Sequence, residues 1–257
     1  GYSATYATVG LDNIVRAVSG DALMANAALN NGKFLLVVVV VQALLSLVLA
    51  LALVRNTRTS ILLRALYFFP TILSSVSVAF IWKFVYDPTF GLGNVLLGAV
   101  SRLVPGGDPV QLSYLGDDAT AIYWVAIAQC WAHVGQMMVV YVAGLQGIPA
   151  ELYEAAKVDG AGRWQSFAWI TWPLVAPATA IVVAYTTIQS FKAFDLILGL
   201  SGIPPKASMD ILSTRIYTTF ANSQYGYAAA QSILFMALIA VVTLLQRRGL
   251  RLVQRDS

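Results

Sequence analysis

Long uncharged stretches separated by short charged turns run the length of this chain. The stretch from Phe34 to Val54 has no charge in 21 residues. At a helical rise of ~1.5 Å per residue it reaches ~31 Å, enough to cross the hydrocarbon core of a bilayer. Arg55 and Arg58 close it. Four largely apolar stretches follow, about Ala65–Tyr86, Ala121–Leu145, Trp172–Leu200 and Tyr227–Leu245, with Lys83, Lys192 and Asp195 the charges within them. We call these segments A to E. Segment B contains Pro70 and the serines Ser74, Ser75 and Ser77; segment C contains Gln129, His133 and Gln136. Segment D contains Pro173, Pro177, Gln189, Lys192 and Asp195, and segment E is closed by Arg247, Arg248, Arg251 and Arg255. The pattern predicts an all-α, polytopic transmembrane chain with five spans.

Composition agrees with this reading. Of the 257 residues 58% are hydrophobic and 11% charged. Soluble domains use about 25% charged residues, so these groups could not cover a globular surface. Cys130 and His133 are each the single residue of their type, which excludes an internal disulfide and a multi-histidine or cysteine metal site. The net charge of +4 could attract nucleic acid, but in a membrane protein the placement of basic residues matters more. Arg55, Arg58 and Arg64 in the A–B turn, Lys157 and Arg163 in the C–D loop, and the four terminal arginines all lie on one side. Arg16, Lys33, Arg102, Lys206 and Arg215 lie on the other. The positive-inside rule puts the first set in the cytoplasm. The chain then runs from an outer N-terminus to a cytoplasmic C-terminus across the inner membrane. It starts at Gly1 rather than Met, and Gly10-Leu11-Asp12-Asn13-Ile14 fits an external linker. A sixth span upstream is expected.

Two connections contain information of their own. The B–C loop, with Pro88, Gly91, Gly93, Pro105, Gly106, Gly107 and Pro109, reads as a turn-rich external excursion with a short interfacial helix over Asn94–Leu103. The C–D loop, residues 146–172, predicts a short helix from about Ala150 to Val158. Pro149 suits its start, Glu151 and Glu154 lie in its electropositive first turns, and Asp159-Gly160 is a turn signal. A second amphipathic helix follows, and Pro173 marks the entry to segment D. Such a helix–turn–helix would present a compact knob to a cytosolic partner. Ala155 and Ala156 would permit close approach, and Glu154 would meet a basic group.

In this loop Glu154-Ala155-Ala156, Gly160, Ile170 and Pro173 fall at the spacing E-A-A, three residues, G, nine residues, I-x-L-P, with Trp172 in the leucine position. Further similar stretches are Val9-Gly10-Leu11-Asp12-Asn13, Phe69-Pro70, Gly91-Leu92-Gly93-Asn94, Ala143-Gly144-Leu145-Gln146, Ser190-Phe191-Lys192-Ala193-Phe194-Asp195 and Gly226-Tyr227-Ala228-Ala229-Ala230. On these residues the chain resembles the inner-membrane permeases of binding-protein-dependent carbohydrate ABC importers, the maltose and glycerol-3-phosphate branch. Two departures lie near the pathway that the family would lead one to expect: Ser201-Gly202-Ile203-Pro204-Pro205 replaces a Gly-Gly-Pro loop, and position 192, commonly Gln, is Lys192.

The resemblance implies a single type I importer transmembrane domain over residues 1–257, lacking catalytic residues, metal and cofactor. ATP and Mg would be held by two copies of a cytosolic ATP-binding subunit. The sequence has no G-x-x-x-x-G-K-[ST] phosphate loop of its own. Glu151, Glu154, Ala155, Ala156, Asp159, Gly160 and Ala161 would form the coupling surface. An extracytoplasmic solute-binding protein would deliver the solute. The terminal Arg247-Arg248-Gly249-Leu250-Arg251 resembles the maltose-type first permease and implies a heterodimer with a homologous second permease.

Candidate pathway residues are Ser74, Ser77, Gln129, His133, Gln136, Gln189, Lys192 and Asp195. Lys192 and Asp195 lie three apart, so they would face each other on a continuous helix. They read either as functional intramembrane charges or as a local pair that shapes the segment end. His133 reads as a hydrogen-bonded packing residue, with solute contact the alternative. Lys83 with Asp87 reads as an interfacial pair. An ion-coupled secondary transporter using Lys192 and Asp195 is the rival function, but it leaves the E-A-A loop unexplained. A membrane-embedded enzyme lacks its motifs.

Overall fold

Asp21 sets the start of the first long helix, α1 (Ala22–Leu53), its carboxylate accepting from the Leu23 and Met24 amides at 2.9 and 3.1 Å. A computed structural model describes residues 9–103 and 111–255. Pro105, Gly106, Gly107 and Pro109 of the turn-rich loop lie outside the described residues. A short helical lead-in, Asp12–Val15 followed by a π-turn Arg16–Gly20, precedes α1. Segment A is thus longer than its uncharged stretch. The extra turns at its start are polar: the Asn26 amide donates to the Ala207 carbonyl at 2.6 Å, and the Asn30 amide to Ala207 and Asp210 at 2.9 and 3.1 Å.

At the other end of α1 the Leu53 carbonyl accepts from Arg64 Nε at 2.8 Å, and the Val54 carbonyl accepts from Gln146 Nε2 at 2.9 Å. The guanidinium thereby satisfies carbonyls that a helix end leaves without partners. We call this the near end of the bundle. The end with Asp21 and Asp210 is the far end.

Segment B does not form one straight span. Helix α2 (Arg58–Phe68) tightens into a 3-10 turn, Phe69–Ile72, and α3 (Ser75–Val85) departs at 102°. Pro70 has no N–H to continue the α-helical ladder. At Leu73 and Ser74 the chain is extended, and Ser74 Oγ caps the new helix by accepting from the Ser77 amide at 3.1 Å. The break rests on α5 (Ala121–Gln146) at Gly135, where any Cβ would overlap the Tyr67 carbonyl. Thr71 Oγ1 fastens it by donating to the Ala132 carbonyl at 2.8 Å.

Helix α5 is the core of the bundle. Phe34 and Val38 of α1 pack with its Ala121, Ile122, Val125, Ala126 and Ala128. Nearer the other end Leu47 and Ala50 pack with Met137, Met138 and Tyr141. Ala50, Ala121, Ala126 and Ala128 let the larger side chains of the two helices interleave at this contact. Ser46 Oγ adds a bond to the Val134 carbonyl at 3.0 Å.

After the helix α6 (Ala150–Val158), segment D is α7 (Arg163–Phe191), which contains a π-turn at Phe167–Thr171. It ends at Lys192 and Ala193, and a separate α8 (Phe194–Ser201) folds against α3, with Gly199 seated on Ala79. The single span Trp172–Leu200 is therefore divided. Among the described residues four helices are long and apolar enough to cross a membrane, namely α1, α5, α7 and α10 (Tyr225–Arg255, apolar to Gln246), and the bent α2–α3 pair makes up to five.

Three further features belong to the far end. Helix α4 (Leu92–Ser101) falls close to the expected interfacial helix, and Asn94 pins it to the Leu112 backbone at 2.9 and 3.0 Å. Tyr86 and Tyr114 stack on each other and Trp124 meets both edge-on, with ring centroids 4.8 to 6.0 Å apart, an aromatic cluster of the kind found at membrane borders. Helix α9 (Leu212–Ala221) was not expected. It lies over the start of α1, Leu212 joining Met24, Ala27 and Tyr227 in a separate apolar cluster.

Candidate functional site

Helix α6 projects from the near end and buries none of its residues. Its bounds coincide with those expected. Its stop is a complete Schellman closure: the Ala161 amide reaches the Ala156 carbonyl at 2.8 Å and the Gly160 amide the Lys157 carbonyl at 3.2 Å. This closure needs a left-handed residue, and Gly160 has φ +79°. The glycine six positions after Glu154 is thus a backbone requirement. Glu151, Glu154, Ala155, Asp159 and Gly160 are exposed, and Ala156 and Ala161 are half-buried. Gln165 then reaches back to the Gly162 amide at 2.7 Å to start α7.

The structure gathers the uncharged intramembrane candidates and His133 in three places and leaves Lys192 and Asp195 apart from all of them. Ser74 and Ser77 are exposed at the bend of segment B, their hydroxyls 2.9 Å apart. Gln129 and His133, with Pro70, Ser75 and Leu196, line a cavity of about 10 Å³ beneath that bend, room for one water. His133 Nδ1 lies 3.1 Å from the Gln129 carbonyl. Gln136 and Gln189 form a ladder: Gln189 Nε2 donates to Gln136 Oε1 at 3.3 Å, and Gln136 Nε2 donates to Tyr185 Oη at 3.1 Å.

Two expected charge pairs do not form. Lys192 has left helical geometry (φ −94°, ψ 6°), Asp195 opens the next helix, and both side chains are exposed. The three-residue register that would join them requires an unbroken helix. Asp87 turns instead to the Thr89 amide and hydroxyl at 2.8 and 2.6 Å and the Phe90 amide at 3.1 Å, leaving Lys83. These bonds, led by the Thr89 hydroxyl, hold its carboxyl below the usual carboxylate range. Among the described residues the ion pair is Asp210–Arg215, at the start of the unexpected α9.

Sequence reasoning also missed Tyr185 and the buried bond from Gln42 Nε2 to Thr186 Oγ1 at 3.2 Å. Tyr185 lies one turn before Gln189, so its spacing was a usable signal. Gln42 sits inside the uncharged stretch of segment A, and its distance in sequence from Thr186 hides the pairing.

Apolar helices packed around one amide ladder, with a bare helix at one end, describe a membrane-spanning subunit. Residues 42–253 match the family described as binding-protein-dependent transport system inner membrane component. The chain is 32% identical over 254 residues to the diacetylchitobiose uptake system permease protein NgcF of Streptomyces coelicolor, covering 94% of this chain and 70% of that protein. It is 30% identical over 236 residues to the trehalose/maltose transport system permease protein MalF of Thermococcus litoralis, covering 92% and 77%. Its fold superposes on a chain of the bacterial ABC transporter involved in alginate import with a TM-score of 0.81 at 23% identity, covering 95% of this chain and 84% of that one.

This chain belongs to the binding-protein-dependent inner-membrane component family. It is a multi-pass permease subunit of the type I importer fold and a transport component rather than an enzyme.

Proposed function

We propose that this chain forms half of the translocation pathway of an ATP-driven importer for a sugar or sugar-like solute. The observation that carries the reading is α6: a well-terminated helix with no buried residue, holding Glu154, Ala155, Ala156 and Gly160 in the E-A-A register. A short isolated helix is marginal in water, so a partner surface is expected to cover it. Glu151, Glu154, Ala155, Ala156, Asp159, Gly160 and Ala161 meet a cytosolic ATP-binding subunit, of which the assembly has two copies. ATP and Mg are held by those subunits. A homologous second permease completes a heterodimer, and the binding protein delivers solute at the far end. The near end, with α6 and the C-terminus, faces the cytoplasm. Relatives named for diacetylchitobiose and trehalose/maltose transport support the solute class. So do the amide and phenol groups of Gln129, Gln136, Gln189 and Tyr185, which suit hydroxyl-rich solutes; Ser74, Ser77, His133, Lys192 and Asp195 are the remaining pathway candidates.

The test is uptake by the reconstituted assembly. Labelled maltose or diacetylchitobiose, whichever the cognate binding protein retains, should accumulate only with that protein outside and MgATP inside the vesicle. Accumulation driven by a proton or sodium gradient without ATP would overturn the reading.

A further inference from the structure

Helix α6 has almost nothing holding it to its own bundle. It buries no residue, and only Tyr153 and Ala156 are half-buried, so apolar packing ties it only weakly to the spans. Its connections are a turn after Gly147 on one side and the Gly160–Gly162 turn on the other. Among the described residues one side-chain hydrogen bond joins it to another element: Tyr153 Oη and Thr171 Oγ1 are 2.9 Å apart. Tyr153 is half-buried, and Thr171 is buried.

The position of Thr171 matters. It is the last residue of the π-turn Phe167–Thr171, where the Trp172 amide reaches back five residues to the Phe167 carbonyl. The cause is two residues downstream. Pro173 has no N–H, and in a regular α-helix its ring would strike the Trp169 carbonyl. Widening the preceding turn relieves the clash. A helix bends most readily where its ladder is already interrupted. Pro177 removes a further bond one turn later. The contact from α6 therefore lands on the weakest point of α7.

We infer that the Tyr153–Thr171 hydroxyl contact is the link through which displacement of α6 is delivered to α7, with the π-turn as the hinge. Tyr153 is a positioning residue, acting through Thr171 on the span that presents Tyr185 and Gln189. The inference rests on the reading of α6 as the docking helix for an ATP-binding subunit. It adds which atoms pass the movement on.

The experiment uses the assembled importer in lipid nanodiscs with MgATP and orthovanadate as the probe. A bimane label is placed on α7 at Ile188→Cys, a position 45% exposed. The single native thiol, Cys130, is buried and escapes labelling. In the otherwise unaltered complex, trapping changes the bimane emission. Tyr153→Phe and Thr171→Val should each reduce that change by about 2- to 10-fold, the population effect of one hydrogen bond. The ATP-binding subunit still co-purifies, and ATP is still hydrolysed. Thr171→Ser retains the hydroxyl and should keep the response. Thr171→Val also removes the 3.5 Å bond from Thr171 Oγ1 to the Ser166 carbonyl, so the test of the shared bond is that adding Tyr153→Phe to Thr171→Val causes no further loss. A full response from Tyr153→Phe, or additive losses, overturns the link. Loss of co-purification in Tyr153→Phe also overturns it, by making Tyr153 a docking residue. No response from the complex with Tyr153 and Thr171 intact overturns the docking reading of α6, and the link with it.

Discussion

Replacing Gly160 by alanine isolates the cost of one backbone angle. A Cβ built at this position meets nothing within 4 Å, so sterics with the rest of the chain play no part. What remains is φ +79°, which costs an L-residue about 1–2 kcal/mol. Alanine also restricts the unfolded chain, but that term assists only where the native angle is allowed. The net is therefore about 1–2 kcal/mol, or about 5- to 30-fold in the local equilibrium between a closed and a frayed α6. Because α6 buries no residue, the loss stays local. The assay is the affinity of the nanodisc-embedded permease for its isolated ATP-binding subunit, with thermal unfolding of the permease measured in parallel. Gly160→Ala should weaken affinity by about 5- to 30-fold and leave unfolding unchanged. Gly160→Asn should cost less, since asparagine tolerates the left-handed region, and Gly160→Val more. If asparagine is as harmful as alanine, or if the unfolding temperature falls, the backbone argument is wrong.

Other positions give contrasting outcomes. Gly135→Ala should lower thermal stability by about 1–3 kcal/mol, because the new methyl overlaps the Tyr67 carbonyl at the bend of segment B; a neutral melt would refute that contact. Asp210→Asn should destabilise by about 1.5–3 kcal/mol, the range for a hydrogen bond to a charged group, since the half-buried Arg215 guanidinium donates to the buried Asp210 Oδ2; a change under about 1 kcal/mol, by denaturant melt, would count against the pair. Lys192→Gln and Asp195→Asn should act additively on stability and uptake, and a coupling above about 0.5 kcal/mol would restore the pair that the structure separates. Burial raises the Asp21 carboxyl, but bonds from Tyr227, Met24 and Leu23 outweigh this and hold it below its ordinary value. Its contribution is thus present above the unfolded carboxylate range near pH ~4 and fades as pH falls through the lower folded value. Asp21→Asn, which keeps a cap, should flatten that part of the acid melt relative to the parent chain.

The E-A-A helix was legible because everything that defines it is local: Pro149 at the start, acidic residues in the first turns, and a glycine where the closing turn demands φ > 0. Segment C was equally plain, for a mostly apolar run of that length with no Asp, Glu, Lys or Arg has few alternatives in a bilayer. The divided spans were harder. Pro70 announces a weakness in segment B, but a proline in a membrane helix produces anything from a slight kink to a full break. The 102° bend exists because Gly135 lets the Tyr67 backbone rest on α5, a contact between residues far apart in sequence. Nothing near Lys192 announces a helix end; α7 stops there so that α8 can seat Gly199 on Ala79. The same division separates Lys192 from Asp195.

Helix α9 and the Asp210–Arg215 pair at its start read as an ordinary polar loop until Asn26 and Asn30 of α1 are found holding that loop in place. Sequence alone determined the membrane class, the number and order of apolar segments and the bounds of the E-A-A helix, because hydrophobic period and turn chemistry act between near neighbours. Tertiary structure decided where spans break, which charges pair and which polar groups meet inside, because a buried polar atom takes whichever partner close packing brings to it.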